Sequence, residues 1–444
     1  MRAESFWMDS TGTTAYPRLE QDVTVDVAVV GGGVTGLCSA WELARTGRSV
    51  VVLEADRIAA GVTGYTTAKL TALHTLIYGQ ITSTFGADAA CSYAESQQDA
   101  IDHVALTVAD LGIDCQFERC PAFTYAQRAD GTEKIRDEVA AARAAGLPAS
   151  LVTETGLPFP VAAAVRVEDQ AQFHPRRYLL ALAEAFTVRA GAIYERTRVV
   201  GLEEGAPHVL TTESGARVRA GAVVVATHYP VFDRALLFPR LTPSRALVVA
   251  GSIPAAQDPG GMYITPEDNT RSVRTAPYDD GQRLLIVTGE RFTPGQGEVA
   301  QRFESLTAWT TERFPDARIR YRWAAQDNVT TDNLPYAGLL HAGAENVYVA
   351  TGYGGWGMSN GVMAARLVTG LITGDRLPWT DLFDPRRLPP ITEAGSLLEA
   401  QAKIVKHFVG DRLRTSHVDS VDDITPGAGA VVRVAGHRCA VYRV

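Results

Sequence analysis

At 444 residues, with 46% hydrophobic and 21% charged residues, the chain has the composition of a globular protein large enough for two or three domains. A formal net charge of −8 argues against nucleic acid as a partner. No apolar run approaches the roughly 20 residues of a membrane span. Residues 1–10 lack the basic and apolar blocks of a signal peptide, so a cytoplasmic location is expected. Of the five cysteines, Cys115 and Cys120 have the C-x4-C spacing of a redox pair but sit beside a predicted strand, and buried structural thiols are the expectation.

In chain order, residues 6–21 read as a polar lead-in. The organising stretch follows. Apolar Val27 to Val30 runs into Gly31-Gly32-Gly33-Val34-Thr35-Gly36, a G-x-G-x-x-G. A helical pattern comes next, then apolar Val50 to Leu53 ending on Glu54. Gly31 suits the tight turn, Gly33 lets the backbone approach a pyrophosphate, and Gly36 lets helix and sheet pack closely. The helix N-terminus offers free N–H groups to phosphate. Glu54 can accept from both ribose hydroxyls and would repel a 2′-phosphate. The spacing predicts a dinucleotide site at Gly31, Gly32, Gly33, Val34, Thr35, Gly36 and Glu54. The competing reading is a glycine-rich turn in an ordinary βαβ unit.

Residues 63–69 read Thr-Gly-Tyr-Thr-Thr-Ala-Lys. The chain has 38 arginines and four lysines, so Lys69 escapes a strong bias toward arginine. An ammonium can shift its pKa where a guanidinium cannot; a chance surface lysine is the bland alternative. Residues 79–111 read as helices, 116–126 as strand, 134–145 as an amphipathic helix, 164–173 as extended and 175–190 as a helix. A strand at 192–202, a hairpin around Glu213-Ser214-Gly215 and a buried parallel-type strand at 222–226 follow. After Pro230, short strands at 246–250, 262–265, 272–275 and 284–288 predict an antiparallel sheet. A helix at 297–314, a strand at 319–325, a buried strand at 346–350 and a helix at 360–373 complete the pattern. Beyond Ile391 one helix and two short strand-like runs are expected.

Gly352-Tyr353-Gly354-Gly355-Trp356-Gly357 is formally a second G-x-G-x-x-G, but no strand ending in an acid follows at the distance a second nucleotide site needs. The predicted fold class is α/β. A discontinuous Rossmann-like domain is expected over 1–85, 150–230 and 330–390, with an antiparallel substrate sheet from 86–149 and 231–329 inserted into it.

With these residues assembled, the chain resembles the D-amino-acid-oxidase-like superfamily of FAD-dependent oxidoreductases. The stretches that carry the resemblance are the glycine loop with Glu54, residues 61–69, 223–227, Gly289-Glu290, 332–338 and 350–358. In residues 63–70, 226–228, 262–264 and 406–411 it is similar to bacterial members bearing a C-terminal Rieske [2Fe–2S] domain. The resemblance implies a GR2-type FAD domain and non-covalent FAD. It implies FAD contacts from Ala55, Thr63, Thr66, Thr67, Lys69, Val199 and Thr227. It also makes Gly352, Tyr353, Gly355, Trp356, Gly357 and Met358 the flavin loop, whose N–H groups would stabilise negative charge on the ring. Lys69, Tyr263, Asp327 and Trp356 are the implied catalytic set. Residues 423–442 resemble the opening strands of a Rieske domain. The C-x-H and C-x-x-H ligand spacings occur nowhere, so no iron–sulfur cluster and no metal are expected.

The lack of a cysteine between Cys120 and Cys439 excludes a cysteinyl flavin bond there; a histidyl bond from His74 stays open. Asp327 stands where amino-acid-oxidising relatives carry an arginine, which favours an amine over an amino acid. Arg271 and Arg274 on one predicted strand favour a carboxylate. The implied activity is oxidation of a C–N bond of an amine or amino acid, with electrons passing to oxygen or a protein acceptor. The alternative is a catalytically idle FAD-binding member of an electron-transfer complex.

Overall fold

The computed structural model describes residues 2–232, 237–294, 298–387, 420, 422, 424, 429–434 and 437–442. The chain divides into two compact units, Met1–Leu388 and Pro389–Val444.

The first unit begins with a one-turn helix, α1 (Phe6–Asp9), then β1 (Val23–Val30), α2 (Val34–Arg45) and β2 (Val50–Leu53). There follow β3 (Lys69–Leu70), α3 (Ile77–Phe85), α4 (Ala87–Leu111), β4 (Glu118–Ala126), α5 (Thr132–Ala144), β5 (Ala149–Val152), β6 (Ala163–Gln172) and α6 (Pro175–Val188). The chain continues with β7 (Ala192–Tyr194), β8 (Val199–Glu203), β9 (His208–Thr212) and β10 (Arg217–Val225). Next come β11 (Leu241–Pro254), β12 (Met262–Ile264), β13 (Ser272–Pro277), β14 (Gln282–Phe292), α7 (Val299–Arg313) and β15 (Arg318–Thr330). Last in this unit are β16 (Tyr336–Leu339), β17 (Val347–Thr351) and α8 (Gly357–Thr373).

Two sheets result. The first has the order β16-β17-β10-β1-β2-β7, with β8 and β9 joined to β10 as a meander. β17, β10, β1, β2 and β7 run parallel, and Val30, Leu53 and Val225 lie level at their carboxyl ends. Val27 to Val30 and Val50 to Leu53 are buried without alternation, because helices cover one face and the meander the other. Gly31 takes φ +109°, and a Cβ there would sit 2.5 Å from the Ala226 carbonyl oxygen. A Cβ on Gly36 would lie 1.8 Å from the Gly31 oxygen. The sequence motif therefore does what its spacing requires: α2 starts in contact with the turn that feeds it.

The second sheet has the order β15-β11-β14-β13-β12-β4-β6-β3, with β5 on β6. It is antiparallel except where β12 pairs parallel with β4. Its strands are longer than the sequence pattern suggests, β11 reaching 14 residues. It also takes β3, β5 and β6 from stretches the sequence reading gave to the Rossmann-like domain. β6 joins β3 and β4, both remote in the chain, so local pattern could not assign these strands to a sheet.

The lead-in is not a simple polar arm. Trp7 is fully buried and donates its indole N–H to the Thr66 carbonyl at 2.6 Å, while Ser5 bonds the Gly64 carbonyl. α1 thus clamps the loop before Lys69. No helix among the described residues is long and apolar enough to cross a membrane. In the second unit, β18 (Gly429–Val434) and β19 (His437–Tyr442) form an antiparallel hairpin with Val432 opposite Cys439. The helix expected beyond Ile391 falls outside the described residues.

Candidate active site

A cavity of about 720 Å³ opens at the carboxyl ends of the parallel strands, where α/β sheets place their ligands. At one end it is lined by Gly31, Gly32, Gly33, Val34 and Thr35 of the glycine turn, with Glu54 and Ala55 after β2. Thr63, Thr66, Thr67 and Lys69 line the middle; Val199 and Thr227 border it. At the far end lie Asp327 and the flavin-loop candidates Tyr353, Gly355, Trp356, Gly357 and Met358. Three candidates do not line it. Gly36 packs on the turn, as its spacing implied. Gly352 lies against Thr330. Tyr263 is the third.

Tyr263 is a correction. It is 1% exposed, stacks on Phe123 at 4.6 Å and donates its hydroxyl to the Pro259 carbonyl at 2.7 Å. The reason is strand parity: Ile264 lines the cavity, so its neighbour faces the opposite core.

The polar groups at the nucleotide end are ordered by the backbone. Glu54 accepts from Gly32 N–H at 2.7 Å and Asp56 N–H at 2.9 Å. The Thr63 hydroxyl accepts from Val34 N–H, in the first turn of α2, at 3.3 Å. The Thr35 and Tyr353 hydroxyls share a hydrogen bond of 2.7 Å, which ties the α2 N-terminus to the loop before α8.

Lys69 is 8% exposed. Its ammonium donates to the Ser272 hydroxyl and lies 5.2 Å from the Trp356 ring centre. Burial, then the Arg274 guanidinium, pushes its pKa down to about 7. Arg274 is itself fully buried and donates to the Thr67 and Ala68 carbonyls, fixing the residues just before Lys69. His74 stacks on Trp356 at 4.5 Å from outside the cavity. Its Nδ1 meets the Tyr93 hydroxyl at 2.6 Å and its Nε2 the Ser359 hydroxyl at 2.9 Å. Burial lowers its pKa to about 3. Both ring nitrogens of His74 are thus engaged within the fold.

Asp327 lines the cavity, and both its oxygens are hydrogen-bonded. One accepts from Asn328 N–H at 2.7 Å and the other from Gly355 N–H at 2.6 Å. Burial raises its pKa, opposed by His228, the two N–H groups and Arg291. Asp327 therefore braces the loop. Arg271 and Arg274 are also corrected. Three residues apart, they fall on opposite faces; Arg271 pairs with Glu290 at 2.5 Å, and neither lines the cavity.

Three residues that the sequence reading did not select stand in the site: Ser272, His228 and Arg291. Ser272 was visible only as one residue of a strand. His228 adjoins a predicted strand end, where parallel sheets expose functional groups. Nothing in the alternation pattern pointed to Arg291.

A sequence model described as FAD dependent oxidoreductase, DAO, matches residues 26–371. The chain belongs to this family. It is 31% identical over 442 residues to YhfW of Bacillus subtilis, described as a Rieske 2Fe-2S iron–sulfur protein; the match covers 99% of this chain and 86% of that protein. It is 26% identical over 397 residues to gamma-glutamylputrescine oxidoreductase of Escherichia coli, covering 81% and 86%. Glycine oxidase from Geobacillus kaustophilus has the same fold, with a TM-score of 0.68 at 21% identity over 82% of this chain and 99% of that one. FAD is the cofactor of this DAO-family enzyme, and the residues present fit it. The turn before α2 and the first turn of α8 offer N–H groups without intrahelical partners, the threonines offer hydroxyls, and Glu54 offers a carboxylate. The buried Thr288 hydroxyl, also in the lining, has no partner among the described residues.

Proposed function

We propose that this DAO-family enzyme oxidises a C–N bond of an amine or amino acid with non-covalently held FAD. The observation that carries this reading is the single cavity joining the glycine turn and Glu54 to the loop before α8, with Lys69 between them.

Gly31 to Thr35 would hold the pyrophosphate on the α2 N-terminus, and Glu54 the ribose. Thr63, Thr66 and Thr67 would donate along the chain toward the ring, with Gly355, Trp356, Gly357 and Met358 at its far edge. Bound FAD would supply hydride acceptance from the carbon beside nitrogen, the resulting imine being hydrolysed by water. The protein orients the substrate, keeps water out and moves protons. The first-turn N–H groups of α8 favour negative charge at the far edge of the ring. Lys69, near neutrality in pKa and fixed by Ser272, can take a proton at Nζ. Trp356, held between the Lys69 ammonium and His74, walls the substrate space. Oxygen or a protein acceptor would then take the electrons. Non-covalent FAD is supported by the engaged nitrogens of His74 and the lack of any cysteine in the lining.

The test is anaerobic absorbance of the purified protein against a panel of amines and amino acids. Bleaching of the oxidised flavin band near ~450 nm by any of them supports the reading, such hydride chemistry being the cofactor's own. A bound flavin that none of them bleaches overturns it in favour of an FAD-binding role without catalysis.

A further inference from the structure

Between β3 and α3 the chain makes a turn, residues 71–76, that is fixed from several sides. The Gln170 side-chain oxygen accepts from the Thr71 hydroxyl at 3.0 Å and from Ala72 N–H at 2.6 Å. Thr71 Oγ1 accepts in turn from Leu73 N–H at 2.9 Å, and the Tyr78 hydroxyl donates to the Ala72 carbonyl at 2.7 Å. His74 is buried with both ring nitrogens engaged. The Thr124 hydroxyl of β4 donates to the Thr75 carbonyl at 3.2 Å. Just beyond the turn, Glu138 of α5 accepts from Tyr78 N–H at 2.8 Å and Gly79 N–H at 2.9 Å, which caps the start of α3.

Inside this frame Thr75 takes φ +62°. A β-branched residue in that region is a true outlier, and it persists only where its surroundings over-determine it. Glycine adopts the same conformation without strain. The threonine that stands there instead is half-buried and lines the cavity. Its hydroxyl has no hydrogen-bond partner among the described residues. The sheet shows which wall it belongs to. Thr124, which holds the Thr75 carbonyl, lies level with Ile264, and Ile264 pairs with Ser272. Ser272 accepts from Lys69, whose ammonium faces Trp356, and His74 stacks on the same indole. Ile264, Ser272, Lys69 and Trp356 all line the cavity, so Thr75 belongs to the wall around Lys69 and Trp356.

We propose that Thr75 is a substrate-binding residue whose hydroxyl accepts a hydrogen bond from the N–H of the amine that is oxidised. The inference rests on the proposed C–N oxidation and names the group that orients the reacting nitrogen. It also restricts the substrate to primary and secondary amines, which keep an N–H after losing the ammonium proton. The Ser272 hydroxyl is engaged by Lys69, whereas the Thr75 hydroxyl has two free lone pairs. A neutral hydroxyl holds an N–H without favouring the charged ammonium, as a carboxylate in its place would. Hydride loss also demands a closely fixed donor carbon, and a turn braced on both sides supplies that fixity.

The test is anaerobic stopped-flow bleaching of the FAD-loaded protein by whichever amine or amino acid reduces it fastest. Thr75→Val keeps the branched shape and removes the hydroxyl. It should lower the second-order rate of bleaching roughly 3- to 10-fold, the worth of one hydrogen bond, with FAD affinity and Tm close to wild type. Thr75→Ser should restore most of that rate. Thr75→Gly should lose the rate as Thr75→Val does, while its Tm stays level or rises, because glycine relieves the positive φ. The N,N-dimethyl form of the same substrate should show no difference between wild type and Thr75→Val. Four results would overturn the inference: an unchanged rate in Thr75→Val, an equal loss in Thr75→Ser, weakened FAD binding in Thr75→Val, or a Tm well below wild type in Thr75→Gly. A wild type bleached by amines together with an unaffected Thr75→Val removes this inference and leaves C–N oxidation standing. A wild type that no amine or amino acid bleaches removes the oxidation reading, and the role of Thr75 with it.

Discussion

Among the described residues Lys69 is the buried lysine, and its surroundings set its chemistry. Burial and the nearby Arg274 favour the neutral amine, so the side chain titrates at about 7, against an ordinary 10.5. If Nζ takes a proton during substrate oxidation, the anaerobic rate of flavin bleaching should rise with pH through about 7. In Lys69→Met that limb should vanish; its survival would assign the limb to another group. The same shift has a stability consequence of definite sign. Between pH 7 and 10.5 the unfolded chain binds the extra proton, so this group's contribution to stability improves as pH rises across that window and is worst below it. Lys69→Met should accordingly gain more in Tm at pH 6 than at pH 10, measured by thermal unfolding. Asp327 gives a complementary case. Each carboxylate oxygen accepts a backbone N–H, and an amide can accept only one of them. Asp327→Asn should lose about 1.5–3 kcal/mol, the worth of a hydrogen bond to a charged group, and bind FAD more weakly; titration of the apoprotein with FAD reads the second effect.

Elements position these residues by contacts that reach far along the chain. The β1–α2 unit is the most local of them: its turn glycines, helix start and Glu54 lie within one stretch. Gly36→Val would put side-chain atoms into the Gly31 carbonyl, and the main chain there has no room to move. It should destabilise the protein by about 3 kcal/mol or more and abolish FAD retention, seen as a lowered Tm and a colourless preparation. The Lys69 loop is held differently. Trp7 of α1 and Arg274 of β13 both grip its carbonyls, from positions about 60 residues before it and 200 after it. β14 is a third case, where a bulge at Glu290 decides which of two adjacent, oppositely charged residues enters the site.

Across the whole first unit, cavity and sheets are built together. The parallel sheet supplies one wall, the second sheet supplies Lys69, Ser272, Thr288 and Arg291, and the loop before α8 supplies the far end. A ligand touching all three should stabilise the unit as one. With FAD at 100 times its Kd, the linkage amounts to about 2.7 kcal/mol, which should appear as a Tm rise of a few degrees that grows with the logarithm of FAD concentration. Acid denaturation followed by filtration should release all of the flavin; colour retained on the polypeptide would mean a covalent bond.

The sequence by itself determined the βαβ unit, its nucleotide-binding chemistry and the family. The unit and its chemistry rest on residues within about 30 positions of one another, where turn geometry, helix polarity and hydrophobic period act locally, while the family rests on short motifs spread along the chain. It also singled out Lys69 and the flavin loop through composition and resemblance. Only the tertiary structure decided which strands joined the second sheet, that Tyr263 faces the core, that Asp327 serves the loop and that Arg291 lines the cavity. Strand parity is the physical reason. A period of two assigns every residue of a strand to a face, and one bulged residue, held by a partner from another strand, reverses the assignment beyond it. Neither the bulge nor its partner is written in the local pattern of β14.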